Sequence, residues 1–350
     1  MKTNILKLFV VLFFFAVSGK VIGQGVATTS GAFLEMGFST VGNAMGETQS
    51  FVHPDISALY YNPASVGYLD QSELQITYMP WIVGIKSSFI TGGFAHPLYG
   101  TFALSLIQTS FGEEEVTTVA RPNGTGEVYD GTDLAVGLTY GRRLTNWFAF
   151  GATFKYVNSR IWHESASAVA LDLGAIVNTS FFAWSDQPGD GLNIGMSITN
   201  YGTRMKYDGQ DIREIIDIEP DKNGNYGFIP VRYETNEWEL PLTARIGVSV
   251  NPLIVDQHRI TVGADFLHST SSNEYMNFGA QYTLNSPAFG QLHLRGGYKG
   301  LNLKDSDFGL TLGFGVVINK LGNNAIKVDY AFRDHSVLGS IQSYTVGIEF

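Results

Sequence analysis

Residues 134–141 read Leu-Ala-Val-Gly-Leu-Thr-Tyr-Gly, and the fold turns on that stretch. Leu134, Val136, Leu138 and Tyr140 share one face at period two, while Ala135, Gly137, Thr139 and Gly141 share the other. Period two is the strand signal, because successive side chains of an extended chain point to opposite sides. A strand buried on both faces would read as an unbroken apolar run. Large apolar residues alternating with small or polar ones instead mark a wall with lipid on one side and a lumen on the other.

The same alternation extends in both directions. Leu74, Ile76 and Tyr78 show it upstream; Phe148, Phe150, Phe154 and Tyr156 follow, then Leu192, Ile194, Met196 and Ile198. Leu242 to Val250 and Phe308 to Ile318 repeat it. Blocks fall near 72–82, 86–97, 99–111, 132–142, 146–158, 166–180, 190–201, 241–251, 258–268, 275–284, 291–299, 306–318, 324–332 and 341–350, fourteen in all. An even count suits a single-chain antiparallel barrel. The long gaps, 112–131 and 202–240, follow the third and seventh blocks, whereas the gaps after the fourth, eighth, tenth and twelfth are short. Long loops outside and short turns at the periplasmic face are the outer-membrane arrangement, with 181–189 somewhat long for a periplasmic turn. The sequence therefore predicts an all-β, transmembrane, fourteen-stranded antiparallel barrel over 72–350.

The last block puts Tyr344, Val346, Ile348 and Phe350 on one face, with Thr345, Gly347 and Glu349 opposite. This resembles the C-terminal signal by which barrel-assembly machinery recognises outer-membrane proteins. At the other end, Lys2 and Lys7 precede the apolar run 8–17, and Val21-Ile22-Gly23 offers a cleavage site before Gln24. That pattern predicts a secretory signal peptide over 1–23. Its removal takes the formal net charge from −10 to −13, since Lys2, Lys7 and Lys20 leave with it.

Composition agrees. Only 15% of residues are charged, against ~25% in average proteins, and there are 40 glycines. The acidic balance argues against a nucleic-acid partner, which requires a basic face. With no cysteine, disulfides, thiolate metal sites, a cysteine nucleophile and a lipidated N-terminal cysteine are all excluded. Outer-membrane lipid is the partner that the pattern itself demands.

Residues 24–71 do not alternate. His53-Pro54-Asp55 can open a helical turn carrying Ile56, Leu59 and Tyr60, and Asn62-Pro63-Ala64 then stops it, because Pro63 disfavours helix at Asn62. A wide lumen is water-filled unless something occupies it, so this apolar prelude is expected to pack inside as a plug.

Here a family resemblance enters. Ala58-Leu59-Tyr60-Tyr61-Asn62-Pro63-Ala64, following Gly42-Asn43-Ala44-Met45-Gly46, resembles the N-terminal signature of the PorV/PorQ family. That family is similar in architecture to the FadL long-chain fatty-acid transporters, which share an Asn-Pro-Ala after an N-terminal hatch. Residues 201–207, Trp238-Glu239-Leu240-Pro241-Leu242, and the stretch from Phe332 through Gly339 also resemble family members. The resemblance implies a fourteen-stranded barrel with an N-terminal plug. Members often carry paired acidic residues ahead of the Ala-Leu-Tyr, but here the run is His53-Pro54-Asp55-Ile56-Ser57. A role for a second carboxylate is therefore not carried over.

Catalytic motifs are wanting. The seven histidines lie on separate segments without ligand spacing and read mostly as interfacial or loop residues. Gly313-Phe-Gly315 sits in a strand with no following helix, and no G-x-S-x-G elbow occurs. Neither an enzyme, a cofactor nor a metal is expected. Loop 202–240 holds nine acidic residues; Asn223-Gly224 reads as a turn rather than a calcium loop, and Glu113-Glu114-Glu115 as a solvated face.

Three functions remain open. The resemblance implies a component of the type IX secretion system of Bacteroidetes, receiving exported cargo beside other secretion components. The alternative is FadL-like passive uptake of a hydrophobic ligand, with Phe33, Phe38, Phe51 and Tyr60 lining a pocket; plain plug-to-wall packing is the competing reading of these aromatics. A scaffold or nonspecific pore is the third.

Overall fold

Pairing of the alternating blocks sorts their residues into an inner and an outer face. The computed structural model describes residues 29–49, 55–183, 189–221, 228–303, 308–321, 324–336 and 339–350. The strands are β1 (Glu73–Pro80), β2 (Lys86–His96), β3 (Gly100–Glu115), β4 (Val128–Thr145), β5 (Phe148–Ile161), β6 (Glu164–Asn178) and β7 (Asn193–Gly202). They continue as β8 (Thr243–Val255), β9 (His258–Ser269), β10 (Tyr275–Ser286), β11 (Gly290–Tyr298), β12 (Leu310–Leu321), β13 (Asn324–Asp334) and β14 (Ser340–Glu349). Each pairs antiparallel with its sequence neighbours, and β1 closes on β14 from Glu73↔Glu349 to Tyr78↔Tyr344. Closure leaves no edge strand, which is why a sheet can sit in lipid at all. Among the described residues no helix is long and apolar enough to cross a membrane.

Outward positions carry the large apolar residues. Ile76, Leu138, Phe154, Leu312 and Val346 are all exposed, although a soluble protein would bury them. Inward positions alternate strictly in β1, where Glu73, Gln75, Thr77 and Met79 are buried. The loop predicted at 112–131 is shorter. β3 and β4 stay paired as far as Glu115↔Val128, beyond a shift after Ser110. A ladder that projects past lipid needs no apolar face, so Glu113, Glu114 and Glu115 continue the strand, exposed, without the alternating signal. In the long loop, Arg213–Ile216 and Ile229–Arg232 form a separate antiparallel pair. The predicted signal peptide and the turn at Asn223-Gly224 lie outside the described residues.

Candidate functional site: the occupied lumen

Residues 29–49 and 55–71 run inside the barrel and meet its inward side chains. The segment begins beside the long loop, where Ser30 N donates to the Glu239 carbonyl at 2.9 Å. It ends at the short-turn end, where Ser72 N donates to the Phe350 carbonyl at 3.1 Å.

Its local structure is a chain of capped short turns. Ser39 caps the helix α1 (Thr40–Ala44), its Oγ accepting from Gly42 N at 3.1 Å. Asp55 caps a 3₁₀ turn at Ile56–Tyr60. Asn62 does more than stop that turn: extended itself, it accepts from Ala64 N at 3.0 Å and opens a second 3₁₀ turn, Pro63–Tyr68. Pro63 takes the first helical position, where its missing N–H costs nothing.

Glycines in the wall let this backbone approach closely. A methyl group at Gly174 would overlap Asn62 Oδ1 and lie 2.9 Å from Pro63 Cδ, and one at Gly151 would overlap the Pro63 carbonyl. Asn62 Nδ2 donates to the carbonyls of Ala175 and Met196 at 3.2 and 3.3 Å. Across the lumen, Gly46 (φ +65°) rests on the backbone of Phe278 and Tyr298, and its N–H donates to Thr311 Oγ1 at 2.9 Å. A side chain at Gly42 would meet the Tyr61 ring. The signature residues Gly46, Asn62, Pro63 and Ala64 therefore rest on the wall, whereas Gly42 packs within the segment against Tyr61.

The predicted lumenal aromatics pack on one another. Phe38 is fully buried, edge-on to Tyr60 at 5.5 Å and 6.0 Å from Phe89 of β2. Tyr60 donates to the Leu34 carbonyl at 2.6 Å. Burial and the nearby Glu47 charge raise the Tyr60 phenol well above its ordinary value. Phe33 joins the same buried cluster; Phe51 lies outside the described residues. Beside Tyr60 and Tyr61 the free space is only about 30 Å³, edged by Glu47, Arg245 and Tyr275. That is room for about one water.

Ion pairs that sequence reasoning missed hold the segment to the wall. Glu47 meets Lys299 at 2.7 Å and Arg333 of β13 at 2.9 Å, all buried. Burial alone would raise the Glu47 carboxyl, but Lys299 and Arg333 outweigh it and hold the group below its ordinary value. Arg245 of β8 donates to the Glu47 carbonyl at 2.7 Å, pairs with Asp265 at 3.0 Å and stacks over Tyr61. At the short-turn end Lys327 pairs with Glu73 at 2.7 Å and Asp55 at 3.3 Å. The second carboxylate absent beside Asp55 in sequence is thus supplied by β1, since Glu73 also accepts from Ile56 N at 3.0 Å. A usable signal was parity: Lys327, Asp329 and Arg333 occupy inward positions of β13.

The remaining predicted residues separate. Tyr344, Val346 and Phe350 are exposed on the outer face. His293 departs from the interfacial or loop reading: it is buried on an inward position with Nδ1 3.1 Å from Thr283 Oγ1, whereas His335, also buried, follows the end of β13. Parity, not residue type, decided that placement. Among the described residues no cluster of His, Asp or Glu could hold a metal ion.

No protein-family model matches the chain, and no curated protein sequence does, so the PorV/PorQ resemblance rests on the residues quoted for it. Solved structures do match. The Pseudomonas putida toluene transporter TodX is similar at TM-score 0.51 and 11% identity, over 89% of this chain and 97% of that one. The Ralstonia pickettii toluene transporter TbuX gives 0.52 and 12%, over 89% and 97%. The monoaromatic hydrocarbon channel CymD gives 0.52 and 10%, over 89% and 96%. At such identity the likeness is one of fold alone: the chain is a closed fourteen-stranded antiparallel β-barrel, the fold of these structures.

Proposed function

We propose that this chain is a non-enzymatic outer-membrane barrel that passes a hydrophobic small molecule through its lumen, with residues 24–71 as the plug that closes it at rest. The observation that carries the reading is the way the lumen is filled. The segment is docked by separate capped turns and two buried charge clusters, at Glu47 and at Asp55, rather than built into the sheet. Such a segment can shift without breaking the wall. The named transport of toluene and other monoaromatic hydrocarbons by structures of the same fold supports the ligand class. Phe33, Phe38, Phe51 and Tyr60 would meet the ligand once the plug moves. The test is uptake of radiolabelled toluene into vesicles carrying the purified barrel. Saturable uptake above empty vesicles is expected; equality with empty vesicles overturns the reading.

A second reading has its own observation. The long loop exposes Ile215, Ile218, Phe228 and Tyr233, an apolar group at the end opposite the short turns. Exposed apolar groups of this kind mark partner surfaces. A PorV-type role in type IX secretion would use it to receive cargo. Affinity purification of the tagged barrel in mild detergent tests this, and recovery of neither secretion components nor exported cargo ends it. In either case the signal peptide is cut near Gly23-Gln24, and Tyr344, Val346, Ile348 and Phe350 present the strand read by the assembly machinery.

A further inference from the structure

Two concavities on the outside of the wall run into one another. The larger, about 780 Å³, lies over β1 to β4 and is lined by outward residues including Leu74, Ile90, Leu104 and Leu138. Its floor is Gly92, an outward position of β2 paired with Leu74 on one side and Leu104 on the other. Where neighbouring strands project a large side chain, Gly92 projects none, and a recess results. The smaller concavity, about 480 Å³, is framed by His96, Tyr99, Tyr140 and Arg142 at the short-turn end. Phe94 and Phe102 line both.

The groove changes chemistry along its length. From Phe102 to Leu106, four residue steps along β3, it extends about 14 Å at strand rise, and the outward side chains Phe102, Leu104 and Leu106 that line it there are apolar. At its end the rings are held in place: Tyr140 donates to the Tyr99 carbonyl at 2.8 Å, His96 and Tyr99 lie 4.7 Å apart, and Phe102 and Tyr140 4.9 Å. Aromatic rings with polar tips mark the depth where hydrocarbon gives way to headgroups. Arg142 stands in that zone, exposed, and among the described residues no carboxylate pairs with it. An unpaired cation at the end of an apolar trough complements an anion that carries a long hydrocarbon chain.

We infer that this groove binds one glycerophospholipid, with an acyl chain in the recess over Gly92 and the headgroup phosphate on Arg142. The occupant is a membrane lipid rather than a transported hydrocarbon, because a neutral molecule makes no use of the cation. The site stands outside the barrel wall and does not rest on the proposed transport.

The test is native mass spectrometry of the detergent-purified full chain, titrated with phosphatidylglycerol, with diacylglycerol and inorganic phosphate as comparison probes. The expected result is one phosphatidylglycerol bound well ahead of any second, with diacylglycerol weaker and phosphate not retained. Arg142→Gln should weaken phosphatidylglycerol binding roughly fivefold to tenfold. Lys86→Gln, at the opposite end of β2, should not. Gly92→Phe fills the recess and should abolish the first site while the barrel keeps its heat-modifiable migration; its new Cβ meets only the tip of Leu74, at 3.3 Å. Equal binding of diacylglycerol and phosphatidylglycerol overturns the headgroup assignment. Unchanged lipid binding in both Gly92→Phe and Arg142→Gln overturns the site.

Discussion

Glu47 and Lys299, 252 residues apart in the chain, meet at 2.7 Å with both side chains buried inside the barrel. Arg333 reaches the same carboxylate oxygen. One acidic side chain of the lumenal segment thus pairs with two cations of the wall and its rim.

Replacing it should loosen the segment. Glu47→Gln keeps the volume but leaves Lys299 and Arg333 buried without their counter-charge, a loss of about 3–5 kcal/mol for a broken buried pair. Hydrogen exchange of residues 29–49 should accelerate while the strands stay protected. Equal exchange in both proteins would show that the pair does not hold the segment.

Acid should act through the same carboxylate. The docked Glu47 titrates below its ordinary value of 4.5, so its contribution is complete above that pH. It is lost as pH falls through the lowered value. Single-barrel conductance should therefore stay low at neutral pH and rise on acidification below 4.5. In Glu47→Gln that acid-dependent rise should be largely missing.

Wall glycines should matter where the segment rests on them. Gly174→Ala introduces a methyl that overlaps Asn62 Oδ1, displacing the Asn62-Pro63 turn at a cost of about 1–3 kcal/mol. Limited proteolysis next to Pro63 reports it. Gly296→Ala, whose Cβ would come no nearer than 3.6 Å to Leu312 Cδ2, lies away from that turn and should leave its proteolysis unchanged.

Phe38→Ala should separate packing from ligand contact. The ring is fully buried against Tyr60 and Phe89, so its loss costs about 3–5 kcal/mol of docking. Vesicle uptake of toluene should rise because the lumen is less well closed. A fall in uptake with unchanged segment protection would instead make Phe38 a ligand contact.

The outer face is tested by charge. Leu312→Arg puts a cation on an exposed wall position of β12, costing about 2–4 kcal/mol near the bilayer midplane. Urea unfolding in lipid vesicles measures the loss, and a shift below ~1 kcal/mol would place Leu312 near the interface.

Much of the barrel was legible because lipid imposes a periodic demand. Leu134 to Gly141 had to alternate, and all fourteen blocks found this way became strands. Where that demand lapses, so did the reading: at Glu113 to Glu115 the ladder continues with a carboxylate on both faces of β3. Asn62-Pro63 was readable as a break, since proline constrains its neighbour. That it also begins a turn depends on Asn62 Oδ1 finding Ala64 N, a local geometry with several sequence-compatible alternatives.

The candidate site was far less legible. Asp55 could be placed as a cap from its neighbours alone, but nothing near it in the chain announces Lys327 or Glu73, with which it shares a buried cluster. His293 looks like any interfacial histidine until its parity in β11 turns it inward. The glycines posed the same problem. Their number marked a thin wall, whereas their purpose at Gly151 and Gly174 is to admit the Pro63 backbone.

By itself the sequence determined strand number, closure and which face of each strand meets lipid, because every outward residue that crosses the bilayer answers to the same solvent. What fills the lumen, and which charges hold it there, only the tertiary structure decided. Those contacts join residues 198 to 272 positions apart, and no solvent periodicity encodes which inward side chain faces which.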